Sequence, residues 1–162
     1  MATDKYIRPQ GGDWFDAANW NAGAVPAPGD IVDLFQSADS GPGNSAHTGV
    51  DATAGTPSGV TIDLSGTSGT AVSQPFAPNL TAGYMLGTPT APVTIDVTAD
   101  SGTASQAGVL LHNLYGSIDV EPNQSLSVTG DLVTINGPVT IGAGALLAFD
   151  YIGSGVFAVG VR

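Results

Sequence analysis

Apolar and polar positions alternate along this chain in short runs that resemble one another. Val60-Thr61-Ile62-Asp63-Leu64 recurs as Val93-Thr94-Ile95-Asp96-Val97, as Gly116-Ser117-Ile118-Asp119-Val120, as Val133-Thr134-Ile135-Asn136-Gly137 and as Val139-Thr140-Ile141-Gly142, with Ile31-Val32-Asp33-Leu34 a looser copy. A period of two marks a strand that buries one face. The centres fall at Val32, Ile62, Ile95, Ile118, Ile135 and Ile141, so the spacing shortens along the chain toward that of one solenoid turn. Ser37 to Ser45 and Ser65 to Thr70, rich in Ser, Gly, Thr and Asn, read as loops in the long early intervals. Further strands are predicted at Gly108-Val109-Leu110-Leu111, Leu126-Ser127-Val128, Leu146-Leu147-Ala148-Phe149 and Val156-Phe157-Ala158-Val159. No window sustains apolar residues at helical spacing, and eleven prolines with twenty-three glycines interrupt the chain too often for long helices.

Two all-β architectures accommodate such strands. A parallel β-helix would stack the repeats into internal Val/Ile ladders and external Thr/Asp rows, whereas a jelly-roll sandwich would spread them over two antiparallel sheets. The repeated motif favours the single-domain solenoid, and the irregular spacing keeps the sandwich as the alternative. One domain spanning 1–162 is expected, with an arm and tryptophan-rich capping loop over 1–30 and the repeated strands over 31–162.

Both tryptophans lie in the segment Asp13-Trp14-Phe15-Asp16-Ala17-Ala18-Asn19-Trp20-Asn21-Ala22-Gly23-Ala24-Val25-Pro26, which runs on through Pro28-Gly29-Asp30. Gly23, Pro26, Pro28 and Gly29 keep it out of helix and early strand pairing, so an ordered loop feeding one strand is expected. Trp14, Ala17 or Ala18, Asn19, Trp20, Gly23, Pro26 and Asp30 stand in the order of a W-x-x-A-x-N-W-x-x-G-x-x-P-x-x-x-D-x-V opening. The segment thereby resembles the start of bacterial secreted and surface β-helical proteins: autotransporter-type passengers, type I-secreted adhesins and Hint-domain precursors. The resemblance covers about the first fifth of the chain and implies architecture and an extracellular or cell-surface location, but no reaction. Large aromatics on such a loop suit closure of the open end of a β-stack. A sugar-stacking platform made of Trp14, Phe15, Trp20 and Tyr84 is the functional alternative.

Charge narrows the partners. Fourteen acids stand against Lys5, Arg8 and Arg162, a net charge of −11, and no Lys or Arg lies between positions 9 and 161. Phosphate binding draws on such cations, which argues against nucleic acid and anionic lipid as partners. With 42% hydrophobic residues the chain has apolar area enough to fold. Cysteine is absent, removing disulfides and thiolate metal sites. No apolar run has the length of a membrane span, and the first residues lack the apolar core of a Sec signal, so any export is expected to use another route.

Candidate chemistry is sparse, and no enzymatic activity is expected. His47 lies in a polar loop and His112 follows Val109-Leu110-Leu111, and neither stands near a nucleophile motif. Asp13 with Asp16, Asp30 with Asp33, and Asp119 with Glu121 are carboxylate pairs of the kind used in glycoside hydrolysis, although like-charged neighbours on a solvated face explain them as well. Asp13, Asp16 and Asp39 are the candidates for calcium, the one cofactor considered, in a chain without the nonapeptide or EF-hand calcium motifs. The C-terminal run Val156, Phe157, Ala158, Val159, Gly160 and Val161 is apolar and free of proline, a hazard if left as an open edge. It is expected either to be buried or to join a neighbouring copy's sheet head to tail. Two functions follow as expectations: a self-associating structural or adhesive module of a bacterial surface, fibre or matrix, or a carbohydrate-binding or carbohydrate-acting module.

Overall fold

A computed structural model describes residues 3–5, 12–34, 49–64, 79–98, 106–130, 133–151 and 159–161. The chain winds in successive coils, each adding one rung to a growing stack. Strand β1 (Thr3–Lys5) comes first, followed by β2 (Gly12–Asp13) with β3 (Ile31–Asp33) and by β4 (Gly49–Ala52) with β5 (Thr61–Asp63). The next coil holds β6 (Asn79–Ala82), β7 (Met85–Leu86) and β8 (Val93–Val97), and the one after it β9 (Gln106–Leu110) and β10 (Asn113–Val120). Then come β11 (Ser125–Gly130), β12 (Val133–Asn136) and β13 (Val139–Ile141), and finally β14 (Leu146–Tyr151) and β15 (Val159–Val161). The helical content among the described residues is a single 3-10 turn, Ala17–Asn19.

Every ladder between these strands is parallel. The fold is therefore a β-solenoid of the parallel β-helix kind, not an antiparallel jelly roll. One sheet has six strands in the order β14-β11-β9-β6-β4-β2. The other has nine and turns a corner inside β10. Asn113 to Tyr115 pair with β7 and β12, while Gly116 to Val120 pair with β8 and β13. That corner divides the sheet into a leaf of β1, β3, β5, β8, β10 and β13 and a leaf of β7, β10, β12 and β15.

The V-T-I-D repeats stack as the solenoid reading requires, with two differences. Val32, Ile62, Ile95 and Ile118 form one inward column, continued by Val139 and not by Ile141, so the last copy is shifted by one alternation. The copy at Val133 to Asn136 lies on the other leaf, where Ile135 stacks on Leu114 and Leu114 on Leu86. Val32, Ile62, Ile95, Leu86, Leu114 and Ile135 are all buried, as are Val50, Leu80, Val109 and Val128 in the six-stranded sheet. Small or weakly apolar runs hide strands that the sequence pattern does not show, Gly49–Ala52 and Asn79–Ala82 the longest among them. At the far end, β15 pairs Val159 with Val133 and Val161 with Ile135. Val156, Phe157 and Ala158 lie outside the described residues, as do the loops predicted at 37–45 and 65–70.

The corner in β10 is set by glycine. A Cβ on Gly116 would overlap the carbonyl oxygen of Val93, one on Gly137 would overlap that of Gly116, and one on Gly87 that of Tyr115. Backbone from neighbouring coils fills the space where side chains would stand, and backbone cannot yield as a side-chain tip does. Gly116→Ala should therefore cost about 3 kcal/mol or more, whereas Gly23→Ala should cost about 1 kcal/mol. At Gly23 (φ +68°) the backbone alone is unfavourable and no neighbour lies within 4 Å. Urea unfolding midpoints of the two variants check the difference.

Candidate functional site

Two groups of residues concentrate the chain's unusual chemistry, a tryptophan pair in the first coils and a column of aspartates along one leaf. The pair is built by the turn after β2. Asp13 Oδ1 accepts the Phe15 amide at 2.8 Å, and Asp16 Oδ1 caps the 3-10 turn by accepting the Ala18 amide at 2.9 Å. Asn19 Nδ2 donates to the Asp13 carbonyl at 2.8 Å, closing the loop on itself. Trp14 then donates its amide to Asp51 of the next coil, which puts its side chain above the inward Ala52 and Ala82. Alanine at both positions leaves room for indole. Trp14 and Trp20 are each 1% exposed and meet edge to face, ring centres 4.9 Å apart at 71°. The Trp20 indole N–H donates to the Trp14 carbonyl at 2.7 Å, so burial strands no polar group.

Of the four aromatics considered as a sugar platform, these two offer no ring face to solvent. Phe15 is half-buried and packs against the core, over Gly55. Tyr84 stands apart on another coil, 75% exposed and stacked on His112 with centroids 6.1 Å apart. Asp13 and Asp16, the described calcium candidates, have carboxylates engaged in turn hydrogen bonds, and Asp39 and His47 lie outside the described residues. Among the described residues no three acids or histidines are grouped so as to hold a metal ion.

The aspartates of the V-T-I-D motif face outward and align. Asp33 pairs in register with Asp63, Asp63 with Asp96 and Asp96 with Asp119, while Lys5 holds the position beyond Asp33 and Thr140 the one beyond Asp119. Adjacent rungs of a sheet lie about 4.8 Å apart, so like charges are brought together by the backbone itself. Hydroxyls soften the arrangement. Thr98 Oγ1 donates to Asp63 Oδ1 at 2.6 Å, and in the neighbouring column Ser117 donates to Thr94 at 3.2 Å. Burial first, and then the charges of Asp63, Asp119 and Glu121, push the Asp96 carboxyl up to about 6. Exposed Asp51 shows the opposite case: hydrogen bonds from the Thr53 hydroxyl and amide favour its ionised form and lower its pKa. Of the sequence pairs, Asp33 and Asp119 thus join one column across coils and Glu121 adds its charge to Asp96, whereas Asp30 stands outside the column and Asp13 and Asp16 serve the tryptophan turn.

Trp20→Ala should cost about 3 kcal/mol, as expected for removing a buried aromatic, and the wild-type protein should show blue-shifted fluorescence shielded from iodide. An unchanged unfolding midpoint in the variant would contradict the packing role. For Asp96 the folded pKa, about 6, lies above the ordinary 3.8, so its protonated form is the one folding favours. The stabilisation is complete below about pH 4 and lost as pH rises through 6. Asp96→Asn should flatten this fall and raise stability at pH 7.5 by on the order of 1 kcal/mol after solvent screening, or ~2–4 °C. Thermal melts from pH 4 to 8 check both the slope and its disappearance.

Comparison with protein families, with curated proteins and with solved structures finds no match, so the chain's own residues carry the functional argument.

Proposed function

We propose that the chain is a structural β-solenoid module that associates with copies of itself, in a bacterial surface, extracellular fibre or matrix. The observation that carries this reading is the way the inward columns end. Leu34, Leu64, Val97 and Val120 stack as buried residues, and the next member, Ile141, is 51% exposed. Leu146, which opens the following coil on the outward side in register with Ser125, is 60% exposed. A solenoid buries its apolar columns by adding rungs, and a coil whose column is left open offers both apolar surface and a strand edge to an incoming rung. The absence of a recognised catalytic arrangement in the sequence and the stacked, self-similar coils agree with a structural task. A carbohydrate-binding role is the second reading, favoured by the exposed Tyr84 ring stacked on His112.

Light scattering and negative-stain microscopy of concentrated protein should reveal oligomers or filaments. Ile141→Lys with Leu146→Lys should reduce their mass while shifting monomer stability by no more than about 1 kcal/mol, because both side chains are already largely in water. Undiminished association in the double variant would overturn the reading. Selective hits on a glycan array that vanish in Tyr84→Ala would favour the carbohydrate role.

A further inference from the structure

The first rung breaks the rule that governs every rung after it. Asp4 pairs in register with Val32 and so occupies the inward position that Val32, Ile62, Ile95 and Ile118 fill in later coils. It is 5% exposed. Asp30, the residue that leads into β3, is the acid that acts on it. Asp30 Oδ2 accepts the Ala27 amide at 3.0 Å, which favours the charged form of Asp30, so ionising the buried Asp4 as well sets two like charges together. The other charged residues on the two strands, Asp33 of β3 and Lys5 of β1, are register partners. Burial, followed by the charge of Asp30, raises the Asp4 pKa.

We propose that Asp4 and Asp30 form a proton-operated latch, which docks β1 on β3 under acidic conditions and releases it when both carboxyls are ionised. The sign follows from the proton count: docked β1 binds one more proton than released β1, so docking is complete at low pH and weakens as pH rises. Three register pairs, Thr3 with Ile31, Asp4 with Val32 and Lys5 with Asp33, hold this strand, fewer than join the later rungs of the leaf at β8 and β10. While docked, β1 presents a polar group over the core column and guards the edge, as inward charges on edge strands do. Once released, it leaves Ile31–Asp33 as the edge and uncovers Val32, which is fully buried while β1 is in place.

Amide hydrogen exchange on the whole chain tests the latch without reference to self-association. Protection of Thr3 to Lys5, corrected for the intrinsic pH dependence of exchange, should fall about tenfold per pH unit once the pair titrates. Protection of Thr61–Asp63 should stay in place over pH 4 to 8. Asp4→Asn cannot ionise, and should hold β1 protected across that range. Asp96→Asn, which alters the aspartate column alone, should leave the fall in β1 protection intact. Constant protection in the wild-type chain, absent protection at every pH, or an identical fall in Asp4→Asn would each overturn the proposal.

Discussion

Parallel, in-register stacking is the constraint on which the rest of this molecule depends. Because each strand lies directly over its counterpart in the previous coil, one position in the repeat becomes a column, and whatever chemistry stands there is multiplied. On the inside the effect is cooperative. Val32, Ile62, Ile95 and Ile118 bury one another almost completely, and branched side chains suit a pleated surface with neighbours above and below. On the outside the same geometry forces Asp33, Asp63, Asp96 and Asp119 into one line, where they meet repulsion that the Thr98 hydroxyl on Asp63 only partly relieves.

That constraint also explains what was legible in the sequence. Alternation with period two reveals a strand and which side chains face in, so the V-T-I-D copies disclose both the Ile column and the Asp column. It does not say on which wall of a coil a strand will lie. Val133-Thr134-Ile135 and Val139-Thr140-Ile141 read alike, yet they occupy different leaves because Gly116 and Gly137 turn the chain between them. Gly49–Ala52 escapes notice for a different reason: its inward Ala52 is small because the Trp14 indole needs the space, so the partner's bulk erases the strand's own signal. Asp4 escapes notice too. Thr3-Asp4-Lys5 reads only as part of an N-terminal arm, and nothing local indicates that its middle residue will be carried onto an apolar column by pairing with β3.

The two ends of the stack are consequently unlike. Near the beginning, two indoles and the inward carboxyl of Asp4 cover the apolar columns, a closure in which the hydrogen bond from the Trp20 indole to Trp14 adds to bulk. Farther along, the column through Leu64 and Val120 reaches Ile141 with no comparable cover among the described residues. Association at that coil would bury apolar surface without first displacing a polar group, whereas association at β1 would have to accommodate Asp4. The two faces of the molecule along its axis therefore differ in their readiness to accept a partner, and proton binding changes one of them alone.

Net charge bears on the direction of any assembly. With −11 spread over a chain that has three cations, side-by-side approach of two acidic leaves brings like columns together and is opposed. Axial addition is different. Among the described residues Thr140, not an acid, follows Asp119 in the column, so a rung laid on β13 stands two strand spacings, about 9–10 Å, from Asp119. That distance is close to the screening length of about 8 Å at physiological salt, beyond which exposed charges interact little. On the proposed reading, the column that would repel neighbours laterally leaves axial addition unopposed, and the residue that makes the difference is the threonine that stands in place of aspartate on β13.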